Sequence, residues 1–305
     1  MQSQAHVVIV YQFGKVASTA LVTSLNACAG IEAHQSHFLG DDALQRIVVN
    51  ATGPNLTPYF RQHMVGQLLA NLDLTHLLKR LQTGKDPRKL TVVSLSREPL
   101  QWFRSSLQQD IAGYQGNLAA RADGTMTGGT TDMIAHVLDI LERHGGADPV
   151  ARHIVAHGGR DFLLQAGVED EFVKTMLLLA LRPLTWFEDH FGKCFGFGLA
   201  DVPRQDGFWL KRGTPSSFVL LRYEDIETVF LPAMAAAGVP FDGPVVQANL
   251  SREKSFASDI RAAFASAPAC RLGDVLRASD YGRFFGYEAA PAVSDPVEPE
   301  PQPTA

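Results

Sequence analysis

Lys15, Ser18 and Thr19 are spaced to hold an anion. They lie in Tyr11-Gln12-Phe13-Gly14-Lys15-Val16-Ala17-Ser18-Thr19-Ala20-Leu21. The run before them, Val7-Val8-Ile9-Val10, reads as a buried parallel strand, and Ala20 to Leu25 reads as the first turns of a helix. A strand that breaks at Gly14-Lys15 and restarts as a helix at Ser18-Thr19 presents unpaired N–H groups and the positive end of a helix dipole at one point. Gly14 permits the tight turn and Lys15 supplies a mobile cation. Val16 and Ala17 add backbone N–H groups ahead of the two hydroxyls. This chemistry suits a phosphate or sulfate ester. A complete triphosphate loop needs a glycine five residues before the Gly-Lys pair and a hydroxyl directly after the lysine. Those positions hold Ile9 and Val16, so the loop is too short to wrap a triphosphate with magnesium. The plain alternative is a βα turn with a surface lysine.

A second basic group follows a second strand. Leu90 to Leu95 reads as buried, and Ser96-Arg97-Glu98-Pro99 leads into a helix near Leu100, with Pro99 suited to its first turn. Arg97 then stands at the carboxyl end of a strand, where ligands of open α/β sheets bind. Its forked donors suit a phosphate, and Ser105 within the helix can complete the contact. The alternative role for Arg97 is an ion pair that caps a neighbouring helix. Two histidines, His34 and His37, lie at the end of the short strand that begins at Ile31, close to the first loop in the expected sheet. Histidine titrates near neutrality and can accept a proton from a reacting hydroxyl. Three residues apart in an extended segment is not a metal-ligand spacing, and no metal is expected.

These side chains need a parallel sheet to bring them together. Strands are expected at 6–11, 31–34, 90–95 and 217–222. Helices are expected at 18–29, 41–48, 57–81, 99–112, 132–145, 148–166 and 169–192, and after Tyr223-Glu224-Asp225, whose carboxylates suit a helix start. The Gly- and Thr-rich stretch 113–131 reads as a mobile loop, a candidate lid. The fold class is α/β, a P-loop-like three-layer fold with a central, mainly parallel sheet flanked by helices. It forms one domain over residues 1–288. Residues 289–305, with five prolines and no aromatic residue, read as a disordered tail.

On these two loops the chain resembles the sulfotransferases that use 3′-phosphoadenosine-5′-phosphosulfate, with a closer similarity to bacterial carbohydrate or capsular-polysaccharide members. In that family the first loop holds the 5′-phosphosulfate with Lys and Ser/Thr. The second loop holds the 3′-phosphate through Arg, with Pro two residues and Ser eight residues beyond. The similarity runs discontinuously over residues 7–287 and includes Leu184-Thr185-Trp186-Phe187, Leu220 to Ile226 and Tyr281 to Gly286. The resemblance implies that Gly14, Lys15, Val16, Ala17, Ser18 and Thr19 bind the 5′ end of the donor, and that Arg97 and Ser105 bind its 3′-phosphate. Lys15 would stabilise the leaving oxygen. His37, in the His37-Phe38-Leu39 common to the bacterial group, would be the base, with His34 second. Gly14 replaces the usual proline before the lysine. Asn249 to Lys254 stands where cytosolic members carry a Gly-rich loop, making Lys254 a donor-binding candidate. The implied acceptor is a carbohydrate hydroxyl.

Composition narrows the alternatives. The 305 residues are 46% hydrophobic, and the net charge is −5, which opposes nucleic-acid binding. An acidic acceptor would need a local basic patch, for which Lys79-Arg80, Lys85 to Lys89 and Lys211-Arg212 are candidates. Three scattered cysteines, Cys28, Cys194 and Cys270, suggest buried thiols in a reducing compartment. No signal peptide is visible and no run is long enough to span a bilayer, so a cytoplasmic location is expected. The competing functional readings are a P-loop phosphotransferase using magnesium-ATP and a catalytically idle nucleotide-binding protein of glycan assembly.

Overall fold

The computed structural model describes residues 6–41, 43, 48, 58–245 and 256–288. Five strands form one sheet in the order β2-β1-β3-β5-β4: β1 (His6–Tyr11), β2 (Ile31–Ser36), β3 (Leu90–Ser96), β4 (Trp209–Lys211) and β5 (Ser216–Arg222). The first three and β5 run parallel, and β4 closes one edge antiparallel to β5. Every residue of β1 and β3 is buried. Their β-branched and apolar runs are therefore covered on both faces, as in a parallel sheet sandwiched by helices.

From β1 the chain moves outward to β2 and then returns to the far side of β1 to form β3, next to β5. The strand order therefore reverses between β1 and β3. In such sheets the crevice beyond the carboxyl ends at this point is the natural ligand site. The loops that leave β1 and β3 are those of Lys15 and Arg97.

Two apolar clusters hold the helices in place. One lies about the sheet and gathers Leu21 and Leu25 of helix α1 (Ser18–Asn26), Leu74, Leu78 and Leu81 of the Pro58–Gln82 helix, and Trp102, Trp186, Phe187 and Phe191. The other joins Leu100, Phe103 and Leu107 to Met133, Ile134 and Val137, and to Leu272 and Leu276. The Pro99–Gln109 helix serves both, because Trp102 faces the first cluster and Phe103 the second. Among the described residues no helix is long and apolar enough to cross a membrane.

The structure corrects the expectation of a loop at 113–131. Residues 111–119 and 126–143 are helical. Thr125 caps the second helix by accepting the Gly128 N–H. Gly129 is required for close packing: a Cβ there would stand 1.8 Å from the Leu118 carbonyl oxygen. Gly129 therefore lets two helices meet closely, where composition alone suggested a lid. The β4 edge strand was not expected. The helix expected across 169–192 divides into Glu171–Ala180, Arg182–Trp186 and a π-helical turn, Phe187–Gly192. Most of the expected 41–48 helix, the tail and Lys254 lie outside the described residues.

Gly282 gives a stability prediction. Its added Cβ would lie 1.9 Å from the Arg277 carbonyl oxygen, and backbone cannot yield as a flexible side chain can. Gly282→Ala is expected to cost roughly 2–3 kcal/mol and to lower the thermal midpoint. An unchanged midpoint would mean that the Ser279–Gly282 turn relaxes freely.

Candidate functional site

The first loop has an unusual backbone. Gly14, Lys15 and Ala17 all have positive φ, at 93°, 59° and 61°. Two non-glycine residues in the left-handed region represent strain that packing must hold. With Val16 outside that region, the alternating backbone turns successive N–H groups toward one side, the arrangement that favours anions. Ala17 is the N-cap of α1 and contributes no side-chain cap. The first bond of the helix is Leu21 N–H to Ala17 O, at 3.1 Å. The N–H groups of residues 17–20 thus precede the intrahelical ladder. Ser18 is buried, and its hydroxyl makes no hydrogen bond among the described residues.

Two contacts fix this loop against the second one. Arg97 Nη1 donates to the Lys15 carbonyl oxygen at 2.8 Å, and Trp102 Nε1 donates to the Gly14 carbonyl oxygen at 2.8 Å. These two bonds occupy the Gly14 and Lys15 carbonyls, and the Gly14 N–H is taken by Gln12 Oε1.

Arg97 is held from behind. The Tyr281 hydroxyl accepts the Arg97 N–H at 3.0 Å and donates to the Arg97 carbonyl oxygen at 2.9 Å. Tyr287, hydrogen-bonded to Ser96 at 2.9 Å, donates to Glu224, whose other oxygen accepts the Glu98 N–H at 2.8 Å. Burial pushes both phenols well above their ordinary value, so they remain neutral donors. Glu224 and the C-terminal aromatics therefore lock the backbone of the second loop. Glu98 caps the helix through the Gln101 N–H and pairs with Arg277 at 3.2 Å.

The Arg97 guanidinium lies 4.6 Å from the Tyr223 ring centre. No carboxylate stands within ion-pair distance of it among the described residues. Burial pushes its ionisation below the ordinary arginine value, against the weaker pull of Tyr223 and Glu224, and Arg104 adds like-charge repulsion. A largely desolvated cation without a counter-ion is costly, and a bound anion would relieve that cost. The helix-capping ion pair is therefore not its role here. Ser105 is half-buried on the same helix, one turn beyond Gln101 and Trp102, and makes no hydrogen bond among the described residues.

His37 joins the group from β2. Its Nδ1 is 2.9 Å from the Gln12 carbonyl oxygen and must carry the proton there. In the neutral ring this leaves Nε2 as the acceptor. Gln35 Nε2 donates to it over a long 3.3 Å, while Gln35 Oε1 accepts the Thr19 hydroxyl at 3.3 Å. A relay thus runs from the α1 mouth through Gln35 to His37. A Cβ placed on Gly14 would lie 4.0 Å from His37 Cε1, so the imidazole flanks the loop. Gln12 is fully buried; its Oε1 accepts the Gly14 N–H and its Nε2 has no hydrogen-bond partner among the described residues.

His34 stands elsewhere. It pairs with Ile9 in register, two residues short of the end of β2, and its Nε2 is 2.8 Å from Glu32. Glu32 also binds Arg88, which in turn grips Asp86 at 2.7 Å. This network ties strand to loop. Asp86 is 5% exposed, and the Arg88 hydrogen bond lowers its carboxyl from 3.8 to about 2. A depressed carboxyl stabilises the fold above its unfolded value and loses that contribution as pH falls through its folded value. Stability should therefore fall between about pH 4 and pH 2, and Asp86→Asn should flatten the acid-unfolding curve across that window. An unaltered curve would remove Asp86 as the titrating group.

The structure thus gathers Gly14 to Thr19, Arg97 and His37 at the switch point, with Ser105 on the adjoining helix. It places His34 in the Glu32 network. Sequence reading missed Gln12, Gln35, Arg104 and the bracing role of Tyr281. Pairing the ends of β1 and β2 in parallel would have brought both glutamines beside the loop. The expected basic patches are largely engaged: Lys79 with Asp41, Arg80 and Arg88 with Asp86, Lys211 over Phe197 and Arg212 with the Ala236 carbonyl. Comparisons of the chain with protein-family models, curated proteins and solved structures give no match.

Proposed function

We propose that the chain is a sulfotransferase that moves a sulfuryl group from 3′-phosphoadenosine-5′-phosphosulfate to a hydroxyl of a carbohydrate acceptor. One observation supports the reading: the Arg97 guanidinium, without a carboxylate partner among the described residues, is bonded to the Lys15 carbonyl of the loop that leads into α1. Two anion sites linked by one hydrogen bond match a donor with a phosphosulfate at one end and a separate phosphate at the other. The amides of residues 15–19, with Ser18 and Thr19, would hold the 5′ end, since the Gly14 N–H is already taken by Gln12 Oε1. Arg97, with Ser105, would hold the 3′-phosphate.

His37 Nε2 would take the proton of the acceptor hydroxyl as its oxygen bonds to sulfur. The bond from sulfur to the bridging oxygen breaks, and its electron pair leaves on the bisphosphate. Lys15 would stabilise the charge that develops there. The sulfuryl group carries less charge than a phosphoryl group, so the reading assigns no metal. A cytoplasmic reaction, in the compartment where the donor is made, belongs to the same proposal; the three cysteines are not the buried thiols expected, since Cys28 and Cys194 are half-buried and Cys270 is exposed.

The test is ligand-induced thermal stabilisation. 3′,5′-Adenosine bisphosphate is expected to stabilise the chain and magnesium-ATP is not. The reverse result would move the reading to a phosphotransferase. No shift with either would sink the donor site and favour an idle scaffold.

A further inference from the structure

A cavity of about 240 Å³ opens on the segment that follows His37 in the chain, lined there by Leu39, Gly40 and Asp41. The opposite wall comes from the Pro58–Gln82 helix through Leu78 and Lys79, and from the π-helical turn through Asp189 and His190, with Lys193 just beyond. Drug-sized ligands occupy roughly 300–1,000 Å³, so this space fits a single ring and not a nucleotide.

The turn that lines the cavity has an independent mark of function. π-Helical turns are uncommon and recur at functional sites, because the wider turn redirects side chains that an α-helix would align. This one follows Trp186, which packs against Tyr11 at the end of β1 and Phe13 of the first loop at 4.8 and 5.7 Å and stacks on His190 at 6.1 Å. Phe38 meets His190 edge-on at 5.8 Å. The cavity wall and the His37 loop are therefore one packed unit.

The charges around the cavity are already paired. Lys79 Nζ reaches both oxygens of Asp41 at 2.9 Å, and Lys193 Nζ reaches Asp189 at 2.6 Å. Among the described residues two carboxylates stand against two ammonium groups, with His190 3.8 Å from Asp189, so the ammonium charge is matched and not left for an acidic ligand. These groups do leave many donors and acceptors at short spacing above the apolar floor of Leu39 and Leu78. The Asp41–Lys79 pair is exposed, and such pairs are held weakly, so hydroxyls can share them at little cost.

We propose that this cavity is the acceptor subsite and that it takes one neutral, hydroxyl-rich sugar ring, in preference to a uronic acid or an already sulfated sugar. The word acceptor rests on the sulfuryl-transfer reading; the sugar site itself does not.

Saturation-transfer NMR on the full chain tests it directly, with methyl β-galactoside, methyl α-glucoside and methyl α-mannoside as neutral probes and glucuronate as the acidic one. At least one neutral glycoside is expected to receive saturation. Its affinity should fall at least tenfold in Asp189→Asn and in Asp41→Asn, while the thermal shift with 3′,5′-adenosine bisphosphate stays as in the wild type. Silence from all neutral probes, a response from glucuronate alone, or undiminished binding in both variants would overturn the assignment. Sugar binding without any bisphosphate shift would overturn the transfer reading and keep the sugar site. A bisphosphate shift without sugar binding would overturn the sugar site and keep the transfer reading.

Discussion

Arg97→Ala is expected to abolish the stabilisation that 3′,5′-adenosine bisphosphate gives the wild-type chain. A ligand at about a hundred times its dissociation constant stabilises by about 2.7 kcal/mol. A hydrogen bond to a charged group is worth roughly 1.5–3 kcal/mol, and a forked guanidinium on phosphate makes two. Their loss weakens binding by roughly two to four orders of magnitude. The same ligand concentration would then sit at or below the new dissociation constant, and stabilisation would fall to about 0.4 kcal/mol or less. The unliganded variant should remain folded, since the Arg97 backbone is held by Tyr281 and not by its own side chain. Removing an unpaired, largely desolvated cation also relieves a cost in the free protein. Arg97→Lys keeps the charge and loses the fork, so it should retain part of the shift. If the bisphosphate stabilises Arg97→Ala as strongly as the wild type, Arg97 does not hold the 3′-phosphate.

The parts of this site that were legible in the sequence are those set by local chemistry. Val7 to Val10 read as a buried strand, and Gly14-Lys15 followed by Ser18-Thr19 read as a strand-to-helix turn, so the position of the first loop followed. Pro99 marked the start of the second helix for the same reason. What the sequence did not reveal depends on contacts between distant segments. The Tyr281 hydroxyl meets the Arg97 backbone across 184 residues, and nothing near either residue announces it. The glycines at 128 and 129 were misread because glycine signals both a flexible loop and a close helix crossing. Only the proximity of the Leu118 carbonyl to Gly129 separates the two cases. The Gln12–His37–Gln35 relay needed the parallel register of β1 and β2. That register sets Tyr11 opposite Ser36 and so brings both strand ends to one mouth.

His37→Ala is expected to lower turnover by roughly 10²–10⁴-fold, the usual contribution of a positioned acid–base group, and to leave the bisphosphate shift intact. The measurement is release of 3′,5′-adenosine bisphosphate from the sulfated donor in the presence of neutral glycosides. Geometry supports the assignment through the tautomer. A carbonyl can only accept, so Gln12 fixes the proton on Nδ1 and turns the Nε2 lone pair outward. Gln35 meets that lone pair at 3.3 Å, a long bond that an incoming hydroxyl can displace. A residue with a merely structural role would change the thermal midpoint and leave the shape of the pH profile alone. A general base gives a profile whose rate falls as pH drops and the imidazole takes up a proton, and the variant should lose that limb along with its rate. Gln35→Leu supplies the finer distinction. It removes the relay to Thr19 and leaves Nδ1 bonded to Gln12, so it should lower turnover modestly, by about tenfold or less, since one neutral hydrogen bond is worth roughly 0.5–1.5 kcal/mol. A His37→Ala enzyme with wild-type turnover and an unaltered pH limb would remove His37 as the base. His34 would not inherit the role while Glu32 holds its ring nitrogen, at 2.8 Å, inside the Arg88 network.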